Sequence, residues 1–287
     1  MKAGKYTKPV PKLTDLPDPK VVGGAAAVQS ASYALEVLAG TYGSRASCFG
    51  VVVKDDKLFF WHYDASCIVY TTQILSFLLD FEGAAAAVVA IANCTPERFG
   101  GLPAFVMKPP QHSPENFPPP DLRGYSFFMP SLNGPKTYKL TLEDPLSVSY
   151  CLTGRRSFIY TANIDPVPAD YPKKLVIVKF SYQVKTRKPE DEIVKLSHAC
   201  GVEHTADIHA CQDLWIVEDG TREVDNRLRA TMEKYGLDCP SEDGNKKRYE
   251  DRVFRSIAYT AYGSIRDLFA KKWELIPIMV DQMIDCE

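Results

Sequence analysis

The sequence predicts an α+β fold with a mostly antiparallel sheet, and three observations carry that reading. A helix, a strand meander and a second helix come first, a proline-rich stretch follows, and a run of strands broken by one helix comes after it. Apolar residues at three- and four-residue spacing mark the helices, and short β-branched or aromatic runs between turn signals mark the strands. The organisation expected is an extended tail over 1–24, a small α/β N-terminal domain over 25–102, a proline-rich linker over 103–137 and a second unit over 138–287.

Pro9, Pro11, Pro17 and Pro19 keep the tail extended, because each fixes φ and removes a donor. From Ala25 to Leu38, Val28, Ala31, Leu35 and Leu38 form a helical stripe, and Gly40 and Gly43 follow as stop signals. Cys48 to Val53 and Leu58 to Tyr63 read as strands joined by the polar turn Lys54-Asp55-Asp56-Lys57. Cys67 to Thr71 reads as a third strand and Phe77 to Ala92 as a second helix. Nine of the 21 prolines then fall between Pro103 and Pro135, where neither a helix nor a central strand can propagate.

Beyond that stretch, Leu146 to Tyr150 and Phe158 to Thr161 are strand-like, with a turn at Gly154. Leu175 to Lys179 is a short β-branched strand, and Glu190 to His198 is a helix with Ile193, Leu196 and Cys200 on one face. Trp215 to Glu218 and Val253 to Thr260 read as further strands, separated by a charged, irregular stretch with a loop at Glu242-Asp243-Gly244-Asn245. Leu268 to Ile284 reads as a last helix. Its Leu275, Ile276, Ile278, Met279, Val280, Met283 and Ile284 exceed one amphipathic stripe, which predicts self-association through it.

Composition removes several classes of function. Hydrophobic residues at 45% and charged residues at 24% argue against wholesale disorder. A net charge of −2 gives no global reason to expect a nucleic acid or an anionic membrane as partner. The longest apolar run, Ala84 to Ala92, is nine residues, against the about 20 a membrane span needs. With no apolar run behind Met1-Lys2-Ala3-Gly4-Lys5 and eight cysteines lacking any CxxC pair, the expectation is reduced thiols and an intracellular location, cytoplasmic or nuclear.

The strongest chemical signal is Lys179 at the end of the apolar run Leu175-Val176-Ile177-Val178, followed by Glu190 and Glu192 early in the next helix. A lysine so placed binds the α and β phosphates of a nucleotide, and a helix glutamate fixes its position. The competing reading is a solvated strand-end lysine and a carboxylate drawn to a helix N-terminus by the macrodipole. His198-Ala199-Cys200 and His209-Ala210-Cys211 repeat one pattern, with His204 between them. A single residue between paired ligands is too few for the familiar zinc spacings, so no metal site is expected and the cysteines read as buried. His62 and Asp64 alternate along a strand and share one face, which reads as a paired surface face rather than an acid–base pair.

The order of motifs resembles the fungal-type protein kinases. Gly154-Arg155-Arg156-Ser157-Phe158-Ile159-Tyr160-Thr161-Ala162 matches their G-R-x-[ST]-x-[VI]-Y-x-A turn. Ile177-Val178-Lys179-Phe180-Ser181-Tyr182 with Arg187 to Glu190 matches their lysine strand and R-x-x-E, and Tyr249-Glu250-Asp251-Arg252 matches a Y-E-D-R strand entry. Ser32 to Leu38 and Trp61-His62-Tyr63-Asp64 resemble the segments that precede the kinase lobe, so the likeness spans roughly residues 25 to 287.

The resemblance implies that residues 138–287 are a kinase-like small lobe with a mostly antiparallel sheet and one regulatory-type helix. The parent protein would transfer the γ-phosphoryl group of ATP, with Mg2+, to protein serine or threonine. Lys179 and Glu190 (or Glu192) would be the catalytic pair. Gly154 and Arg155 would cover the phosphates, and Tyr259 and Tyr262 would lie at the adenine-contacting hinge. The motif departs from the usual kinase pattern in having one glycine, Gly154, where three are common, and adjacent arginines that turns ordinarily expose. No His-Arg-Asp or Asp-Phe-Gly sequence occurs in the 287 residues, so the reading is a lobe truncated before its catalytic loop and inactive alone. Its partners would be a protein substrate or the missing large lobe. The alternative is a non-catalytic interaction module or a pseudokinase-like nucleotide- or partner-binding protein.

Overall fold

The computed structural model describes residues 25–66, 68–71, 75–95, 99–102, 107–110, 120–132, 134–168, 171, 173–202, 205–214 and 252–263. Its elements in chain order are α1 (Ala25–Gly40), β1 (Cys48–Lys54), β2 (Lys57–Tyr63), β3 (Ile68–Tyr70), β4 (Leu75–Ser76), α2 (Phe81–Ala92), β5 (Ser126–Pro130), β6 (Thr137–Val148), β7 (Phe158–Asp165), β8 (Leu175–Val184), α3 (Glu190–Ala199), β9 (Ile208–Asp213) and β10 (Arg252–Thr260). The architecture is α+β with antiparallel sheets. The N-terminal strands form a small sheet in the order β1-β2-β3, with β4 also on β2. The remaining strands form a six-stranded sheet in the order β5-β6-β7-β8-β10-β9.

That larger sheet curls until its edges meet. Ser131, just past β5, bridges Ala210 of β9, and Leu132 N donates to His209 O at 3.1 Å. Alternation along the strands sends one set of side chains inward: Phe127 and Met129, Leu140 and Leu142, Phe158 and Tyr160, Val176, Val178 and Phe180, Phe254 and Ala258. These share one buried cluster, in which Phe158, Phe180 and Phe254 stack in series. Burying each large side chain contributes roughly 1.5–3 kcal/mol.

The N-terminal region packs onto this core: Ala46, Ala65 and Leu102 belong to the same cluster. Two contacts show how tightly it docks. Gly43 has φ +90°, and a Cβ there would lie 2.3 Å from the Phe158 ring, so only glycine fits. Tyr160 donates its hydroxyl proton to Tyr42 O at 2.9 Å and accepts from Leu122 N at 3.0 Å. A smaller cluster of Ala34, Leu38, Cys48, Trp61 and Tyr63 joins α1 to β1 and β2.

Several elements differ from expectation for identifiable reasons. The helix expected from Phe77 begins at Phe81, because Asp80 caps it by accepting from Gly83 N at 3.2 Å and Leu75–Ser76 pairs with β2 instead. The proline-rich stretch is not linker throughout. Ser126–Pro130 adds to the sheet as an edge strand, with Pro130 at its last position where a missing N–H is tolerated. The strand read from Leu146 begins at Thr137 and continues past Pro145 through register shifts on either side of it. The strand read as ending at Lys179 runs on to Val184, paired with β10 along its length. A strand at Ile208–Asp213 precedes β10. The tail over 1–24, the strand read at Trp215 to Glu218, the loop at 242–245, the helix read at Leu268 to Ile284 and the self-association assigned to it lie outside the described residues.

Candidate functional site

Lys179 sits in the middle of β8, with Ile159 of β7 and Ile257 of β10 as its register partners. Its neighbours Val178 and Phe180 are fully buried inside the curled sheet, so alternation turns Lys179 to the outer surface. There it meets α3. Pro189, extended at φ −61° and ψ 147°, stops the helix from starting earlier, and Glu190, Asp191 and Glu192 complement the dipole in its first turn. Glu190 is the first residue of that helix. Lys179 Nζ donates to both of its carboxylate oxygens at 2.8 Å. Glu192 is exposed, so of the two candidate carboxylates Glu190 makes the ion pair.

A third side chain completes the arrangement. Tyr259 of β10, register partner of Ile177, donates its hydroxyl proton to Glu190 Oε1 at 2.7 Å. Burial opposes ionisation of Glu190. Hydrogen bonds from Lys179 and Tyr259, with the charges of Lys179 and Arg155, outweigh it and hold the carboxyl below its usual range. The Tyr259 phenol is pushed up by burial and by its bond to Glu190, so it stays protonated and remains a donor. The lysine and glutamate side chains keep 22% and 29% of their surface, so the pair is not sealed from solvent.

The turn between β6 and β7 is held from both sides. Gly154 has φ +97°, and its N–H donates to Ala65 O at 2.7 Å. Arg155 O accepts from Tyr182 N at 2.7 Å, while the Arg155 side chain is exposed. Arg156 overturns the expectation of two solvated arginines. It is buried, donates to Ala46 O at 2.7 Å and Arg45 O at 3.0 Å, and lies 5.2 Å from the centre of the Tyr182 ring. Tyr262 is exposed, and its hydroxyl donates to Asp207 Oδ2 at 2.8 Å, away from the pair.

Beside the pair runs a polar network that sequence reasoning missed. Arg255 makes two bonds to Asp213, at 2.6 and 2.9 Å, and donates to Gln183, which donates to Ser181. Strand alternation is the signal that could have put Ser181 and Gln183 on the lysine face, but their partners depend on the pairing with β10.

The two H-x-C motifs do not converge. Cys200, expected on a buried face, is exposed at the end of α3, and His209 is buried in β9 beside Tyr171 and Thr260. The Cys211 thiol is pushed up to about 12, by burial first and then by Asp191, which suits neither a ligand nor a nucleophile. Among the described residues no group of three or more His, Cys, Asp or Glu could hold a metal ion. His62 Nδ1 lies 3.5 Å from a buried Asp64 carboxylate, so this pair is not on an open surface face. No helix among the described residues is long and apolar enough to cross a membrane.

A family model described as fungal protein kinase matches residues 20–284, nearly the whole chain. No curated protein and no solved structure matches.

Proposed function

The chain belongs to the fungal protein kinase family, and on that premise we propose that Lys179 binds the α and β phosphates of ATP while Glu190 holds it in place. The observation that carries this reading is the two-pronged 2.8 Å pair between the strand lysine and the first residue of the following helix. The surrounding topology supports a small lobe. Lys179 lies on the third strand of the antiparallel path β6-β7-β8-β10-β9, and α3 connects that strand to β9.

Each residue has a role consistent with its surroundings. Lys179 supplies a fixed cationic point, and Arg155 brings a second, exposed charge from the turn. Glu190 keeps the lysine from collapsing onto solvent or another carboxylate. ATP with Mg2+ would supply the transferable phosphoryl group and the metal charge that neutralises it. The residues that orient an acceptor hydroxyl and bind the magnesium are not represented by a His-Arg-Asp or Asp-Phe-Gly sequence in these 287 residues. Protein serine or threonine is the substrate class this reading assigns to the full kinase.

A lysine-reactive acyl-phosphate derivative of ATP tests the assignment. Mass spectrometry should find Lys179 acylated and protected by excess ATP with Mg2+. Acylation of other lysines with Lys179 untouched would overturn it.

One observation favours the second reading, a pseudokinase-like nucleotide- or partner-binding module. The backbone N–H of Gly154, which a phosphate-covering turn would offer to the nucleotide, is already donated to Ala65. On that reading the chain is labelled at Lys179 yet transfers no phosphate to a generic protein substrate.

A further inference from the structure

We infer that Tyr259 is a positioning residue whose hydroxyl pins Glu190 against Lys179 before any nucleotide binds; this rests on the phosphate-binding reading and adds to it the residue that holds the site assembled.

The need for such a pin comes from how α3 is attached. None of its residues is buried, and Ile193 and Leu196 keep 49% and 53% of their surface. Among the described residues, apolar packing, which anchors most helices to a sheet, does not anchor this one. Its first turn is tethered instead by polar contacts. Lys179 is one tether, but a four-carbon ammonium side chain is flexible, and a partly exposed ion pair is weak on its own. Lys179 also has other work, since a phosphate group approaching it competes with Glu190 for its donors.

Tyr259 has none of these weaknesses. Its ring has two rotatable bonds and projects from β10, which lies between β8 and β9 with hydrogen-bonded neighbours on both sides. The hydroxyl donates to Glu190 Oε1 at 2.7 Å, and this oxygen is one of the two that Lys179 contacts. When a phosphate takes up part of the Lys179 donors and loosens their hold on Glu190, the tyrosine still holds the carboxylate and with it the start of the helix. Among the described residues, Glu190, Asp191 and Cys211 are ionisable groups that act on Tyr259, and Lys179, Tyr259 and Arg155 act on Glu190.

Tyr259→Phe in the full 287-residue chain keeps the ring and deletes only the donor. Two readouts need no nucleotide: titration of the Glu190 carboxyl by carbon-13 NMR, and amide exchange along α3. A third is the affinity of a fluorescent ATP analogue with Mg2+. We expect Glu190 to titrate at higher pH, α3 amides to exchange about tenfold faster, and the analogue to bind about three- to tenfold more weakly, the scale of the net contribution of one hydrogen bond. A merely structural ring would leave the Glu190 titration where it is. Unchanged titration and unchanged exchange would overturn the proposal, whatever the nucleotide does. Failure of the wild-type chain to bind the analogue would instead overturn the phosphate reading, with the Tyr259 question still decided by the two nucleotide-free measurements.

Discussion

The inner and outer faces of the curled sheet are made by the same strands and behave in opposite ways. Inward, Val178 and Phe180 are fully enclosed among Phe158, Tyr160 and Phe254. Outward, the residue between them, Lys179, is one-fifth exposed and bound to Glu190 and, through it, to Tyr259. The inner face provides stability through area removed from water. The outer face carries instead a few charge-assisted bonds whose net stabilisation is small. The difference teaches that the site is positioned by the core beneath it, so the two faces should respond to mutation in separable ways.

Phe180→Ala should give the largest loss of stability, about 3–5 kcal/mol, because it opens a cavity at the centre of the aromatic stack. Chemical denaturation followed by circular dichroism measures it. A loss below about 1 kcal/mol would mean that the inner face is not the stabilising one.

Arg156→Ala comes next. It removes a buried guanidinium that joins the β6–β7 turn to Ala46 and Arg45 in the N-terminal region. The expected cost is about 2–3 kcal/mol, from two charge-assisted bonds and two carbonyls left without them. Proteolysis should cut the turn faster in this variant. An unchanged cutting rate would show that the turn is held by Gly154 and Tyr182 alone.

Lys179→Met should change stability least, by less than about 1 kcal/mol at neutral pH. The sign of its pH dependence follows from Glu190, whose carboxyl is held below the unfolded range. That contribution is fully present above the unfolded carboxylate range and is lost as pH falls through the folded value. The wild-type advantage over Lys179→Met should therefore shrink on acidification into and below the usual carboxylate range. An advantage that grows in acid would contradict the ion pair.

How legible all this was in the sequence divides along the same two faces. The inner face follows from period-two alternation, which placed strands at 158–161, 175–179 and 253–260 in the right order. The Lys179–Glu190 pairing was legible because motif spacing put a carboxylate at a helix start soon after the strand. Ser126–Pro130 was hidden by Pro130 and the prolines around it, since an edge strand needs only half its donors and so tolerates a residue that reads as a breaker. Tyr259 was read as a hinge residue because local sequence gives its strand position but not the register that aims it at Glu190. Arg156 was read as solvated because its partners, Arg45 and Ala46, lie more than a hundred residues earlier in the chain.

The central claim is that the outer face binds a nucleotide polyphosphate through Lys179. Calorimetric titration of ATP with Mg2+ into the 287-residue chain and into Lys179→Met tests it most directly, because the substitution leaves the inner core untouched. The account predicts saturable binding in the wild type that weakens at least tenfold in the variant, with both proteins melting within a few degrees of each other. Equal affinity in the two proteins would contradict it.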